Sequence, residues 1–506
     1  MSPPPDLVVA VDCSTTAAKV VVQDAAGTVV ARASRPLRTD QPHPSWHEQD
    51  ADEWWVATRD AVAEAVGSLD DPARVGALCL THQRETFVCL DGQGRPLRPA
   101  VLWLDGRAHD EIVGLGSPHI HGLSGKPPDT TPALYKLAWL ARHEPQVLDQ
   151  AARVGDVHAY LTWRLTGRWA TSEASADTLG LFDLRRMTWA PELLALAGVR
   201  EAQLPDLVPV GEPVADLTSE VAASLGLPAP VPLVAGIGDG QAAGIGLGAT
   251  TPGVAYLNLG TSMVLGVRSD AYVWDPAFRT LAGMTPGTYT LETVLNAAAY
   301  LATWCREEFG EHGPDGSAGA ELEAAAARVP AGAEGLLTLP YWNAAQTPYW
   351  DPQARGAVVG WHGRHTRAHL YRSILEGVAF ELRLHLERLE VVTAAPVTTL
   401  RVVGGGARSP LWVQIVADVT GRPLQVCADA EWSAAGAAAL AHAHLAHAHR
   451  TPAGSEESVG TPPPGREVRP DARATARYEA FSAVHRRIYP ALRDLFPDLL
   501  AAAREH

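Results

Sequence analysis

The sequence predicts a two-domain protein of mixed α/β class, and three observations carry that reading. Its 506 residues are too many for one ordinary hydrophobic core. Short apolar strands alternate with amphipathic helical stretches along its length. A single strand–turn–strand unit also occurs twice, about half a chain apart, as expected of two similar domains facing each other.

The first copy of the unit opens the chain. Residues 7–11 form an apolar run, and Asp12-Cys13-Ser14-Thr15-Thr16 form a polar turn. Residues 19–23 and 29–33 then flank a second turn at 24–27, completing an antiparallel meander. Helical periodicity marks residues 52–66, 134–142 and 157–165, with strands at 75–80 and 87–90 between them. Gly248-Ala249-Thr250-Thr251-Pro252 breaks the pattern and marks the domain boundary. The second copy follows, with a strand at 254–259, the turn Gly260-Thr261-Ser262 and a returning strand at 263–267. Residues 451–469, rich in Pro, Gly, Ser and Glu, read as an exposed connector to a final helix at 473–489, which Pro490 should end or kink.

Composition narrows the function. With 41 Lys+Arg against 57 Asp+Glu the net charge is −16, which gives no general attraction to nucleic acid or to anionic membranes. A phosphate ligand must therefore be held by backbone amides, a metal ion and a few local cations. Cys13, Cys79, Cys89, Cys305 and Cys427 are odd in number and lack Cys-x-x-Cys spacing, as expected of buried thiols in a reducing compartment. The start lacks a signal-peptide pattern and no run of about 18 apolar residues occurs, so a cytoplasmic protein is expected.

Several segments carry residue types that chemistry needs. Asp239, in Gly236-Ile237-Gly238-Asp239-Gly240-Gln241, stands between a short strand and an Ala/Gly-rich helix. A carboxylate so placed suits a general base, and equally a helix cap. Asp12 precedes Thr15, Thr16 and Lys19; a carboxylate there can hold Mg²⁺ beside hydroxyls that grip phosphate, or can simply close an Asx-turn. Gly260-Thr261-Ser262 offers a matching grip, or an ordinary hairpin turn. In Val402-Val403-Gly404-Gly405-Gly406, a strand runs into three glycines before Ser409 and a helix at 411–420, a setting for a nucleotide. Neither a Rossmann fingerprint nor a P-loop is present. Arg84 and Glu85 could bracket hydroxyls or form an exposed salt bridge, and Trp103 could wall a site or fill a core. The histidines His442, His444, His447 and His449 read as a solvated helix end, and Trp46-His47-Glu48-Gln49-Asp50 as a helix entry.

Taken together and in this order, Asp12-x-x-Thr15-Thr16-x-x-Lys19, Gly236-x-Gly238-Asp239-Gly240-Gln241, Leu259-Gly260-Thr261-Ser262 and Gly404-Gly405-Gly406-Ala407-Arg408-Ser409-Pro410-Leu411-Trp412 resemble the FGGY carbohydrate kinases. The resemblance covers nearly the whole chain. It implies two actin-like, ribonuclease H-like ATPase domains facing across a cleft, residues 1–249 on the sugar side and 250–506 on the nucleotide side. It implies ATP and Mg²⁺ as cofactors, a small-molecule sugar or polyol as substrate, and a homodimer as the family's habit. Carried over, Asp239 matches the catalytic base, and Asp12 and Asp239 the residues near Mg²⁺. Thr15, Thr16, Lys19, Gly260 and Thr261 match the phosphate turns, and Gly404, Gly405, Gly406 and Ser409 the adenosine motif. Arg84, Glu85, Trp103 and Gln241 fall on the substrate side.

There are departures. Ser14 stands where the family has glycine, and Trp361 replaces an aliphatic residue. Gln83-Arg84-Glu85-Thr86 resembles glycerol kinases, whereas xylulokinases carry Met-His there; residues 46–50 and 97–107 look xylulokinase-like. The expected substrate is a ketopentose such as D-xylulose. A glycerol or tetritol kinase is the alternative within the family, and an actin-like nucleotide switch the alternative outside it.

Overall fold

A computed structural model describes residues 5–228, 230–311, 319–428, 430–448 and 465–504. The first half folds around a six-stranded sheet built from β1 (Leu7–Cys13), β2 (Ala17–Asp24), β3 (Val29–Pro36), β4 (Val75–His82), β5 (Pro213–Asp216) and β6 (Pro232–Gly238), in the order β5-β6-β4-β1-β2-β3. β1 is buried along its whole length, as an unbroken apolar run with both faces covered must be. β3 alternates and is largely exposed, which suits an edge.

The second half repeats this plan. β7 (Val254–Leu259), β8 (Met263–Ser269), β9 (Arg279–Ala282), β10 (Tyr289–Leu295), β11 (Thr399–Val403), β12 (Leu424–Val426) and β13 (Arg466–Val468) form a sheet of order β9-β10-β8-β7-β11-β12-β13. Read from the antiparallel edges β5 and β13, the two sheets match strand for strand. An antiparallel edge strand is followed by two parallel strands, then by the hairpin and its third strand. β9 is the one addition. The duplicated hairpin in the sequence is thus the visible part of a duplicated sheet.

Helices cover these sheets. α1 (Ala51–Gly67) starts where Asp50 accepts the Asp52 amide, and buries Trp54 and Trp55 beside β2 and β3. α2 (Asp239–Gly246) leads directly out of β6. α3 (Arg367–Thr393) and α4 (Pro410–Thr420) pack on the second sheet. α5 (Trp432–Ala448) does something the sequence reading did not anticipate. The break at residues 248–252 separates the strands of the two sheets, but α5, from the second half, crosses back to cover the first. Its Ala434, Ala437, Ala438, Ala441 and Leu445 lie in one core with Val8, Ala10, Ala77, Cys79 and Ile237.

That crossing corrects the reading of the histidine-rich stretch. His442 and His444 are half-buried on α5, with His442 facing Gln23 and Asp24; only His447 is exposed, and His449 lies outside the described residues. Alanine and histidine serve here as the small and medium side chains of a crossing helix. Of the connector at 451–469, residues 451–464 lie outside the described residues, and Arg466–Val468 pairs with β12 as an edge strand. Pro490 does not end the helix, which closes at His485; the proline sits inside a short further helix, Ile488–Leu492. Among the described residues, no helix is long and apolar enough to cross a membrane.

Candidate active site

Between the two sheets lies a cleft of about 330 Å³, lined among others by Thr15, Arg84, Glu85, Trp103, Thr131, Asp239, Tyr256, Asn258, Arg279, Asn296 and Gln346. The three segments at its centre come from strand ends, where a chain leaving a sheet must turn and can present side chains.

Asp239 is the first residue of α2, with Gly238 as the cap, so its carboxylate is not consumed in capping. Its Oδ1 accepts the Gly240 amide at 2.7 Å and lies 3.3 Å from Arg84 Nε. The side chain keeps 36% of its surface open to the cleft, yet the protein packed around it raises its pKa; Arg84 and the Gly240 amide oppose that shift. Asp12, next to last in β1, is almost completely buried, and its Oδ1 has no hydrogen-bond partner. Burial, with the neighbouring Asp239 carboxylate adding to it, pushes Asp12 up to about 8. An orphaned carboxylate oxygen beside a second carboxylate is a place that wants a cation.

Of the residues in the two turns expected to hold phosphate, Thr15 and Ser262 line the cleft with Asp239, whereas Thr16, Lys19, Gly260 and Thr261 are not among the residues that line it. In the first, the Ser14 amide and hydroxyl both bond to Ala17 O, so serine closes the turn without needing a left-handed backbone. Thr16 is exposed, and Lys19 reaches Glu431 at the mouth of α5, 2.8 Å away. Thr15 is held in a network: Trp103 Nε1 donates to its hydroxyl at 3.0 Å, which in turn donates to Gln83 Oε1 at 3.2 Å. Gln83 Nε2 donates to Gln49 Oε1, and Gln49 Nε2 to Thr15 O. The segment read as a helix entry therefore also contributes Gln49 as a brace for the turn. In the second turn, Thr261 is exposed, while Gly260 O and Thr261 O accept the Ala299 and Ala298 amides.

The glycine run after β11 has a division of labour. Gly404 lies at φ 94, and a Cβ on it would come within 2.5 Å of Asn258 Oδ1, so only glycine fits. Gly405 has nothing within 4 Å of such an atom and opens onto free space. Gly406 lets Trp412 pack closely. Ser409 caps α4 through the Trp412 amide and donates to Glu323 at 2.5 Å.

On the other wall, Glu85 is buried and Arg84 largely so, not an exposed salt bridge, and each pairs with a residue of the second half. Arg84 Nη1 and Nη2 donate to Glu292 at 3.2 and 3.1 Å. Glu85, at the left-handed φ of 65, accepts from Thr131 Oγ1 at 3.1 Å and from Arg279 Nη1 at 3.2 Å. Trp103 is part-exposed at the cleft rather than a core filler. Gln241 does not reach the cleft. Two residues along a helix turn a side chain about 200° from its start, and Gln241 Nε2 accordingly donates to Ala282 O and Ala174 O on the far side. Arg279, Glu292, Tyr256 and Thr131 were missed in the sequence, where they are isolated residues within ordinary strands and loops.

Two sheets of one topology with a cleft between them, lined by Asp239 and by Thr15 and Ser262 from a turn of each half, define an actin-like, two-domain phosphotransferase. The chain belongs to the FGGY family of carbohydrate kinases: the family's N-terminal domain matches residues 7–246 and its C-terminal domain residues 255–445. It is 33% identical over 494 residues to a xylulose kinase of Escherichia coli K12, across 96% of this chain and 99% of that one. A glycerol kinase of Bordetella parapertussis is 32% identical over 462 residues, covering 86% and 88% of the two chains. Among solved structures, a xylulose kinase from Rhodospirillum rubrum superposes with a TM-score of 0.90 at 31% identity, over 97% of this chain and 99% of that one.

Proposed function

We propose that this enzyme transfers the γ-phosphoryl group of ATP to a hydroxyl of a ketopentose such as D-xylulose, with Asp239 as the base. The observation that carries the proposal is the position of Asp239: at the head of α2, open to the cleft, its pKa raised by burial and its carboxylate steadied by Arg84. A carboxylate of raised pKa is a better proton acceptor for an alcohol, and the fixed Arg84 keeps it aimed. Arg84, Glu85 and Trp103 offer the substrate donors, an acceptor and a flat wall. The exposed hydroxyls of Thr16 and Thr261, with amides of their turns, would spread the phosphoryl charge, and Gly405 leaves room for the nucleotide.

Asp12 and Asp239 are the residues that would hold Mg²⁺, on the strength of the unpartnered Asp12 oxygen and the mutual repulsion of the pair. Among the described residues no group of three or more His, Cys, Asp or Glu side chains gathers for a metal ion. When bound, Mg²⁺ neutralises the charge on the transferring phosphate.

Glycerol or a tetritol is the second reading, favoured by the Arg84–Glu85 pair itself. An ADP-release panel over ketopentoses, ketohexoses, glycerol, tetritols and aldonates decides between them. The largest kcat/KM is expected for a ketopentose. A panel in which no sugar or polyol raises ADP release above background ATPase would sink the kinase reading.

A further inference from the structure

The floor of the cleft carries charges from both halves of the chain. Arg84 and Glu85 come from the turn after β4. Arg279 and Glu292 come from β9 and β10, where they face each other in the antiparallel register. Arg84 bonds to Glu292, Glu292 to Arg279 and Arg279 to Glu85, and Glu85 adjoins Arg84 in the chain. The four charges alternate around a ring and sum to zero.

Glu292 is the keystone. It is completely buried, and its oxygens accept from both guanidiniums and from Tyr256 OH at 2.7 Å. Burial alone would push its carboxyl up; Arg279 and Arg84 outweigh that and hold it at about 2, so it stays charged. The other three members line the cleft. They offer N–H donors and a carboxylate acceptor, the complement of hydroxyl groups. They offer no spare cation. Each guanidinium already faces a carboxylate, and Lys126 is paired with Asp177. The Lys136 amine, whose charge also acts on Glu85, has its donors on four backbone carbonyls.

We propose that Arg279 and Glu292 are specificity-determining residues supplied by the second domain, and that the ring they complete selects a neutral polyhydroxy substrate over the matching aldonate. The proposal rests on the kinase reading and names the substrate class of that same site. A ligand carboxylate entering this floor, where the ring is neutral and Asp239 also lies against Arg84, loses its hydration and finds no surplus cation in return. Removing one ring charge should shift that balance in a direction set by its sign.

The test measures KM for D-xylulose and the competitive Ki of D-xylonate, in wild type and in variants whose folding is checked by thermal melting. Glu292→Gln leaves the floor one charge more positive, and the ratio of Ki to KM is expected to fall about tenfold. Arg279→Gln leaves it one charge more negative, and the ratio is expected to rise about tenfold. General damage to the fold cannot move the two in opposite directions. Ratios that stay unchanged or move together would overturn the proposal. The charge swap R279E/E292R adds an independent arm, and carries the test if a single variant does not fold. The swap preserves the cross-strand pair but sets like charges against Glu85 and Arg84, so KM should stay raised. Return to the wild-type KM would reduce the pair to a strand contact and overturn the ring. Wild type inactive on every sugar and polyol defeats the kinase reading itself; wild type active with unaltered ratios in the variants defeats the ring alone.

Discussion

At the scale of single residues, the cleft separates groups that act on a ligand from groups that only shape the backbone, and substitutions can tell them apart. Asp239→Asn keeps the size of the side chain and removes the proton acceptor. Turnover is expected to fall by about three orders of magnitude, with the melting temperature nearly unchanged, as read by ADP release at saturating sugar. The glycines after β11 give a second contrast. Gly404→Ala forces a Cβ against Asn258 Oδ1 at a φ that side chains avoid, so loss of thermal stability should come first. Gly405→Ala adds a methyl group to open space; folding should be untouched and KM for ATP should rise. How far these residues were legible in the sequence follows from their locality. Asp12, Asp239 and the glycine turns announce themselves because strand, turn and helix start are adjacent in the chain. Arg279 and Glu292 are 13 residues apart and meet Arg84 only through strand register and domain docking. Local spacing carries no trace of that. Gln241 was misleading for the opposite reason: next-but-one to the base in the chain, it faces the other side of the helix.

At the scale of elements, α3 carries a buried acid whose titration should be visible in stability. Glu381 accepts from Tyr341 OH at 2.8 Å and lies 3.7 Å from His485 Nδ1. Burial raises its carboxyl from 4.5 to about 8, against the pull of the tyrosine hydrogen bond. The folded state therefore holds a proton that the unfolded chain releases. Stability from this group is complete below about pH 4.5 and is lost as pH rises toward about 8. His485, buried and lowered from 6.5 to about 4, acts in the other sense between those two values, so the decline due to Glu381 stands clear above about pH 6.5. Glu381→Gln is expected to flatten the decline in melting temperature between pH 5 and pH 8, and a variant that declines in parallel with wild type would contradict it. Elements were legible where periodicity was strong, as for β1, α1 and the two hairpins. α5 was not: its alanines and histidines give a weak apolar contrast, because the helix packs closely on the α2 backbone at Gly436 and uses small side chains against the first sheet.

At the scale of the whole molecule, that backbone contact joins the two halves. A Cβ on Gly436 of α5 would lie 1.9 Å from Ala242 O in α2, and one on Gly246 would lie 2.3 Å from Trp432 O. The helix that begins with Asp239 is thus held in place by a helix from the other half. Neither carbonyl can yield without moving its helix. Gly436→Ala should therefore destabilise the protein by about 1–3 kcal/mol. It should also lower kcat by about 10²-fold through displacement of the base, with circular dichroism showing the helices retained.

The return of α5 also sets the order in which the molecule can be made. All strands of the first sheet have been synthesised once residue 238 is added, but the helix that covers them ends at Ala448. While the intervening 210 residues are made, the side of that sheet carrying Val8, Ala10, Ala77 and Cys79 waits for this helix. Until α5 arrives, that face lacks the helix that covers it, and the helix headed by Asp239 lacks the one that holds it in place.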